Sequence, residues 1–330
     1  MAQITGTLDT YQTNGKAEDF RNAIYTIAVQ DKPFLSLIGS EATAKAKKHQ
    51  WQTDTLRTPA ANKQIEGDDV SFTVPAATTA VGNYLQISRE QVIVTGTDQA
   101  VKLYGRASEM RRLLTKKASE LTRDMELTNV GLMQASAVGS SSVAAQSGSF
   151  GAWLATNVSR GATGANGGYN TGTGLVNAPT DGTTRAFTEA LYKAVMQSCH
   201  QNGAQPTYCM MAPTHKLLFS AFAGIAVNRV DQSRAEVKKS QAVILAGADV
   251  YQGDFGLQTI VSNPYMSTTL GGRAREAYLI TPDMASLNYL RKMETDNLAK
   301  TGDAEKKLLI CEWTLVVNNE AAHGVIADLI

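Results

Sequence analysis

ASEMRRLLTKKASELTRDMELTNVGLMQASA, residues 107–137, is the stretch that decides the architecture. Met110, Leu114, Ala118, Leu121, Met125 and Leu132 recur at helical spacing and keep one apolar stripe. Arg111, Arg112, Lys116, Lys117, Arg123, Asp124 and Glu126 occupy the rest of the surface. Such a helix would run roughly 45 Å at about 1.5 Å per residue, far beyond the usual ~11–12 residues. The stripe is too short and uneven for sustained heptads, so a coiled coil is disfavoured. A long helix with one narrow buried face suits the backbone element of a thin, flat protein.

Upstream of this helix the pattern turns to β. Residues 51–56 alternate, and residues 84–94 are long and β-rich, with Ile87, Val92, Ile93 and Val94. A polar stretch with Asn62, Gly67, Asp68, Asp69 and Pro75 separates them, so residues 49–105 read as an extended hairpin with a loop tip. A lone hairpin is marginal in water and must pack against something else. Earlier still lies a polar arm with a short helical pattern at Phe20, Ile24, Ile27 and Ala28, ended by Pro33. Asp31-Lys32-Pro33-Phe34-Leu35 then presents an apolar patch that the arm cannot bury alone.

Downstream, residues 139–182 hold 10 of the 27 glycines and two charges, Arg160 and Asp181. This composition reads as a Gly/Ser-rich insertion, pinned at Trp153 and Leu154. An α/β stretch follows. Phe187, Leu191, Val195 and Cys199 mark a helix that Gly203 stops, residues 206–213 a short buried strand, and residues 216–222 another helix. Residues 243–245 and 257–261 read as further strands. Near the end, residues 308–317 form a strong strand with Cys311, Trp313, Leu315 and Val317 on one apolar face, and residues 323–329 a last β segment.

Composition excludes several classes. With 330 residues, 43% hydrophobic and a net charge of +1, the chain is long and apolar enough to fold, and disorder is not its main state. Its 31 basic and 30 acidic side chains give no bulk attraction to nucleic acid. Three cysteines point to reduced thiols in a cytosolic setting, and no secretion signal or membrane span is expected. The four histidines, His49, His200, His215 and His323, have no metal-ligand spacing. Residues 161–174 lack the Gly-Lys-Ser/Thr ending of a phosphate loop, and Gly172-Thr173-Gly174 meets Asn177 where a dinucleotide fingerprint needs glycine. Asp254-Phe255-Gly256 reads as a hairpin turn. The basic half of the long helix reads as a solvated face paired with Glu109 and Glu120. No catalytic, cofactor-binding or metal residue is expected, and the chain does not read as an enzyme.

The order of parts (arm, long hairpin, spine helix, α/β region, terminal strand) resembles the major capsid protein of tailed bacteriophages, the Hong Kong 97-like fold. The wording Asp31-Lys32-Pro33-Phe34-Leu35-Ser36-Leu37-Ile38, Arg123-Asp124-Met125-Glu126 and Ala299-Lys300-Thr301-Gly302-Asp303 is similar to this family. Glu312-Trp313-Thr314-Leu315 followed by Asn319-Glu320-Ala321-Ala322-His323-Gly324 resembles one subgroup of it. The resemblance implies an α+β fold with an N-arm (1–48), an extended E-loop (49–105), a P-domain (106–138 and 285–330) and an A-domain (183–284), with 139–182 as an insertion. It implies an icosahedral shell of hexamers and pentamers around double-stranded DNA that is contacted non-specifically. Such a shell is assembled in the host bacterial cytoplasm, with portal, scaffolding and decoration proteins as candidate partners. With the arm beginning near Met1, scaffolding is expected to be a separate protein or not needed.

A shell subunit must bury apolar surface in its neighbours, and near-neutral charge limits repulsion among packed copies. On that basis Phe34, Leu35 and Trp51 are expected to bury against neighbouring subunits. Arg57, Lys63, Asp68 and Asp69 are expected to form intersubunit salt bridges. The nearest rival is an encapsulin-type nanocompartment, which resembles the same fold but would need an interior cargo pocket. A tail or decoration protein would not place a spine helix between hairpin and α/β region. A small-molecule enzyme on residues 183–284 would need the acid, base and nucleophile cluster that is missing.

Overall fold

A computed structural model describes residues 28–222 and 249–330 apart from the single positions 30, 42, 71 and 106. The helical pattern at Phe20, Ile24 and Ile27 and the strand at 243–245 lie outside the described residues. In chain order the elements are α1 (Pro33–Ile38), β1 (Lys48–Thr53), β2 (Thr79–Tyr84), β3 (Gln86–Thr95), α2 (Gly96–Ala100), α3 (Glu109–Glu126), α4 (Phe150–Trp153), β4 (Val158–Ser159), β5 (Gly168–Asn170), β6 (Leu175–Asn177), α5 (Glu189–Gln201), β7 (Tyr208–Met211), α6 (Pro213–Ser220), β8 (Val250–Gly253), β9 (Gly256–Ser262), β10 (Ala277–Ile280), β11 (Ala285–Asn297), β12 (Ala304–Val317) and β13 (Gly324–Ile326).

The spine helix α3 starts where the Ser108 hydroxyl accepts a hydrogen bond from the Arg111 N–H, an N-cap that satisfies one free helix donor. It continues past Glu126 as one π-helical turn, Leu127–Gly131, closed by the Leu132 N–H on the Leu127 carbonyl at 3.1 Å. The helix therefore ends at Gly131, short of the expected residue 137, and spans about 35 Å. The last position must be glycine, because a Cβ on Gly131 would lie 2.6 Å from the Tyr265 carbonyl oxygen, and Leu132 after it is extended. Met110, Leu121 and Met125 are buried, as the periodicity predicts, and Leu113, Leu114 and Ala118 are half-buried beside them. Glu126, read as part of the exposed face, is buried instead, because its carboxylate caps another segment.

Beneath α3 lies a three-stranded antiparallel sheet in the order β11-β12-β3. Its middle strand carries Cys311, Trp313, Leu315 and Val317 inward, all buried, and the Trp313 indole N–H donates to Ser88 Oγ at 3.0 Å. The extended hairpin is corrected here. Residues 84–94 do not form one strand paired with residues 51–56. The chain turns at buried Leu85, so β2 pairs with β1 (Trp51 opposite Val81) while β3 joins β12 (Gln86 opposite Trp313). Partner exchange is favoured because Val92 and Val94 gain burial under α3 that β1 could not supply. Strand β1 also stops at Thr53, and Leu56 is fully exposed.

Among the described residues a six-stranded mixed sheet, β4-β13-β10-β7-β9-β8, forms the other half of the molecule. Tyr192, Val195, Met196 and Cys199 of α5 and Phe219 of α6 are buried in its core cluster. Asp254 and Phe255 connect β8 to β9 as the expected hairpin turn. Strand β13 belongs to this sheet rather than to the spine-helix sheet, because it pairs with β10 and β4. The Gly/Ser-rich stretch, expected as an insertion pinned at Trp153 and Leu154, is buried at both of those residues. Phe150, Ala152, Trp153, Leu154 and Val176 sit in the main core. Its glycines allow backbones to touch: a Cβ on Gly161 would lie 1.9 Å from the Thr183 carbonyl oxygen.

Asn83 ties three of these parts together. Fully buried at the end of β2, it donates to Ser147 Oγ (3.0 Å), the Gly148 carbonyl (3.3 Å) and the Leu315 carbonyl (2.8 Å), and accepts from the Gly148 N–H (2.9 Å). Removing it leaves several buried groups unpaired, each worth about 1–3 kcal/mol. Asn83→Ala is expected to lower stability by about 2–4 kcal/mol in urea denaturation.

Two buried titratable groups give opposite pH responses. Burial lifts the Glu276 carboxyl to about 7, against the opposing pull of the Arg273 guanidinium at 3.3 Å. Burial lowers His323 to about 4. Its Nδ1 accepts from the Thr281 N–H (3.2 Å) and its Nε2 faces the Met284 carbonyl (3.4 Å), which fits the neutral ring. Glu276 has a folded pKa above its unfolded 4.5, so its contribution is complete below about pH 4.5 and lost as pH rises through 7. His323 has a folded pKa below its unfolded 6.5, so its contribution is complete above about pH 6.5 and lost as pH falls toward 4. Relative to wild type, Glu276→Gln is expected to gain about 2–3 kcal/mol between pH 4.5 and 8. His323→Gln should gain a similar amount in the reverse direction. Urea unfolding at both pH values reads each difference.

Candidate assembly surfaces

The chain between β1 and β2 is exposed at every described position from 54 to 78. Its apolar side chains are not hidden: Leu56 is 99%, Phe72 95% and Val74 95% exposed, with Ile65 and Val70 also open to solvent. Monomeric proteins rarely leave such a set unburied. Arg57, Lys63, Asp68 and Asp69 lie on the same tip, and none makes an ion pair among the described residues. At the base of the tip, half-buried Trp51 packs on Trp153 with ring centroids 5.3 Å apart, and Trp153 stacks on Tyr169 at 5.8 Å.

Of the three expected apolar contact residues, Phe34 is corrected. It has no exposed surface within its own subunit, where its ring meets Phe150 at 5.1 Å, so no area remains for a neighbour. Leu35 and Trp51 keep partial exposure. The structure brings Phe34 and Leu35 together at the arm and places Trp51 and the four charged residues on the hairpin.

A carboxylate that the sequence did not single out joins the arm to the spine helix. Glu126 Oε1 accepts hydrogen bonds from the Phe34 N–H (2.9 Å) and Asn263 Nδ2 (2.6 Å), and Oε2 accepts from the Leu35 N–H (2.9 Å). Burial pushes its carboxyl above the usual range, and these three donors pull it back. Around it, Lys32 Nζ donates to Thr122 Oγ1 (3.1 Å), and the Tyr265 hydroxyl donates to the Val29 carbonyl (3.0 Å) while accepting from Arg123 Nε (3.2 Å). Two of the stretches that carried the family resemblance, 31–38 and 123–126, thus meet in space. The sequence signal was their shared wording; nothing in either alone reveals the contact.

Other chemistry finds no assembled set. Among the described residues no group of three or more His, Cys, Asp or Glu could hold a metal ion, and no helix is long and apolar enough to cross a membrane. Cys199, Cys209 and Cys311 are free and buried, and burial raises their thiols, to about 12 for Cys199 and about 11 for Cys311. Such thiols are inert.

Comparison with known proteins supplies the family. The family model described as SU10 major capsid protein matches residues 3–329. The major capsid protein of Escherichia phage Phieco32 is 35% identical over 118 residues, 36% of this chain and 33% of that protein, so the match spans about a third of the relative's length. Among solved structures, a subunit of the cyanophage A-1(L) capsid superposes with a TM-score of 0.63 at 14% identity, over 97% of this chain and 98% of that one. An encapsulin from Synechococcus elongatus PCC 7942 superposes with a TM-score of 0.57 at 8% identity, over 95% and 92%. At these identities the structures fix the fold, Hong Kong 97-like, and do not separate a phage head from a nanocompartment. The family match does separate them: with nearly its whole length covered, this chain belongs to the SU10 major capsid protein family.

Proposed function

We propose that copies of this chain assemble, as hexamers and pentamers, into the closed icosahedral head of a tailed phage around its double-stranded DNA. The observation that carries the reading is the exposed apolar tip, residues 54–78, on a subunit whose family is a capsid family. One subunit holds both a projecting apolar loop and the body against which a copy of that loop can lie. A heterologous contact of this kind closes into rings when the rotation fits. The parts then take these roles: N-arm 1–48, E-loop 49–105, P-domain 106–138 and 285–330, A-domain 183–284. Strand β3 serves the P-domain sheet, and β13 with residues 158–159 extends the A-domain sheet. Leu35 and Trp51 are assigned to apolar contacts between subunits, and Arg57, Lys63, Asp68 and Asp69 to salt bridges between them. DNA is held by enclosure and non-specific contact, assembly takes place in the host bacterial cytoplasm, and the role is structural, with no reaction catalysed. Portal, scaffolding and decoration proteins are the expected partners.

Expression of the full chain, followed by size exclusion and negative-stain electron microscopy, tests this directly. Closed shells or rings of five and six are expected; a monomer that also binds a metabolite would contradict it. Leu56→Ser combined with Phe72→Ser should leave subunit stability within about 0.5 kcal/mol per site, as for exposed positions, yet reduce shell yield at least tenfold. Asp68→Lys with Asp69→Lys should also reduce shell yield, and unchanged assembly would remove the salt-bridge assignment.

A further inference from the structure

Glu126 breaks several local preferences at once. It has no exposed surface, although carboxylates are almost never fully buried unless paired, and it sits where α3 gives way to the π turn. Its hydrogen bonds among the described residues come from neutral donors, and the nearby Lys32 ammonium is bonded to Thr122 instead. Burying a carboxylate in this way costs stability that an apolar residue of similar size would not. Departures of this kind from local rules mark positions that serve a role beyond folding.

What the carboxylate gains is geometry. Three donors from two distant segments converge on its two oxygens, which neither an amide nor an alkyl side chain can satisfy. Two of those donors are N–H groups of α1, six residues long and too short to persist unaided. Asn263 is itself fixed, because its Oδ1 accepts from the Tyr265 N–H at 3.0 Å. Beyond α1 the chain is fastened to β11, by the Leu287 N–H on the Gly39 carbonyl (3.0 Å) and the Ala44 N–H on the Tyr289 carbonyl (3.0 Å). It then enters β1 at Lys48 and continues into the exposed tip. Glu126 at α1, these two bonds and the entry to β1 are thus successive fixed points on the chain that leads to the base of the tip. The π turn that follows Glu126 is the kind of helix irregularity that accompanies functional positions.

We infer that Glu126 is a positioning residue for assembly: by holding the Phe34 and Leu35 N–H groups it latches the arm onto the spine helix and so sets the course of the chain toward the tip that meets a second copy. This rests on the shell reading above. In Glu126→Gln the side-chain NH2 must face at least one of the three donors, so the latch opens while the Phe34 ring can stay in its pocket.

The test compares the full-length wild type, Glu126→Gln and Asn263→Ser. Hydrogen exchange by mass spectrometry is read on unassembled subunits, and shell yield by electron microscopy. Glu126→Gln is expected to speed exchange in residues 31–38 at least tenfold, with β10 and β12 unchanged, and to lower closed-shell yield at least tenfold. Asn263→Ser keeps both backbone bonds and should fall between; it carries the test if Glu126→Gln fails to fold. Exchange in 31–38 like that of wild type in the folded variants would overturn the latch, and so would a loosened arm with full shell yield. A wild type that forms no shells or rings would overturn the shell reading itself, a result separate from any difference among variants.

Discussion

The packing of α3 over β3 and the neighbouring β12 is the contact on which the other parts depend. Strand β12 is paired on both sides, by β11 and β3, so its backbone is satisfied while its inner face still needs a cover. The apolar stripe of α3 supplies that cover, with Met125 Sδ 3.9 Å from Cys311 Sγ at the centre. From this slab each neighbouring part takes its position. Asn83 hangs β2 and the 147–148 segment on the Leu315 carbonyl, and Glu126 holds the arm. The tip side chains Leu56, Phe72 and Val74 lie outside the buried core and stay exposed. The projecting parts must therefore find burial elsewhere, which is the physical requirement for a wall built from many copies.

The same economy explains the buried polar groups. Asp328, at a left-handed φ of 60°, accepts from the Gly161 and Gly182 N–H groups and pins both ends of a glycine-rich stretch to the C-terminal segment. Asn157 reaches the Ala321 and His323 carbonyls while accepting from Ser198 and Asn202 of the α5 region. Each ties segments far apart in sequence, where hydrophobic contact alone would leave register free. A subunit that must present surfaces at fixed angles to its neighbours needs that specificity more than it needs the last increment of stability.

Much of the fold was legible where period and composition are local properties. The stripe of α3, the inner face of residues 311–317, helix α5 with its stop at Gly203, and the turn at 254–255 all follow from spacing. What was not legible depends on partners. Residues 84–94 carry the same β-rich signal whether they pair with one strand or two, so the turn at Leu85 and the move of β3 to β12 could not be read. Glycine content looks alike in a flexible linker and in a tightly packed crossing such as Gly161 on Thr183. Glu126 sat in a charged run and was placed with the exposed face, because the amides it serves lie 91 and 92 residues away. Phe34 was correctly read as needing burial; its own subunit, rather than a neighbour, supplies it.

The central claim is that the apolar tip between β1 and β2 is exposed only in the isolated subunit and is covered by another copy in the shell. Hydrogen exchange over residues 54–78, compared between dissociated subunits and purified closed particles, tests it most directly. The account predicts rapid exchange in the free subunit and strong protection in particles, with β10 protected equally in both. Equal, rapid exchange of the tip in intact particles would contradict it.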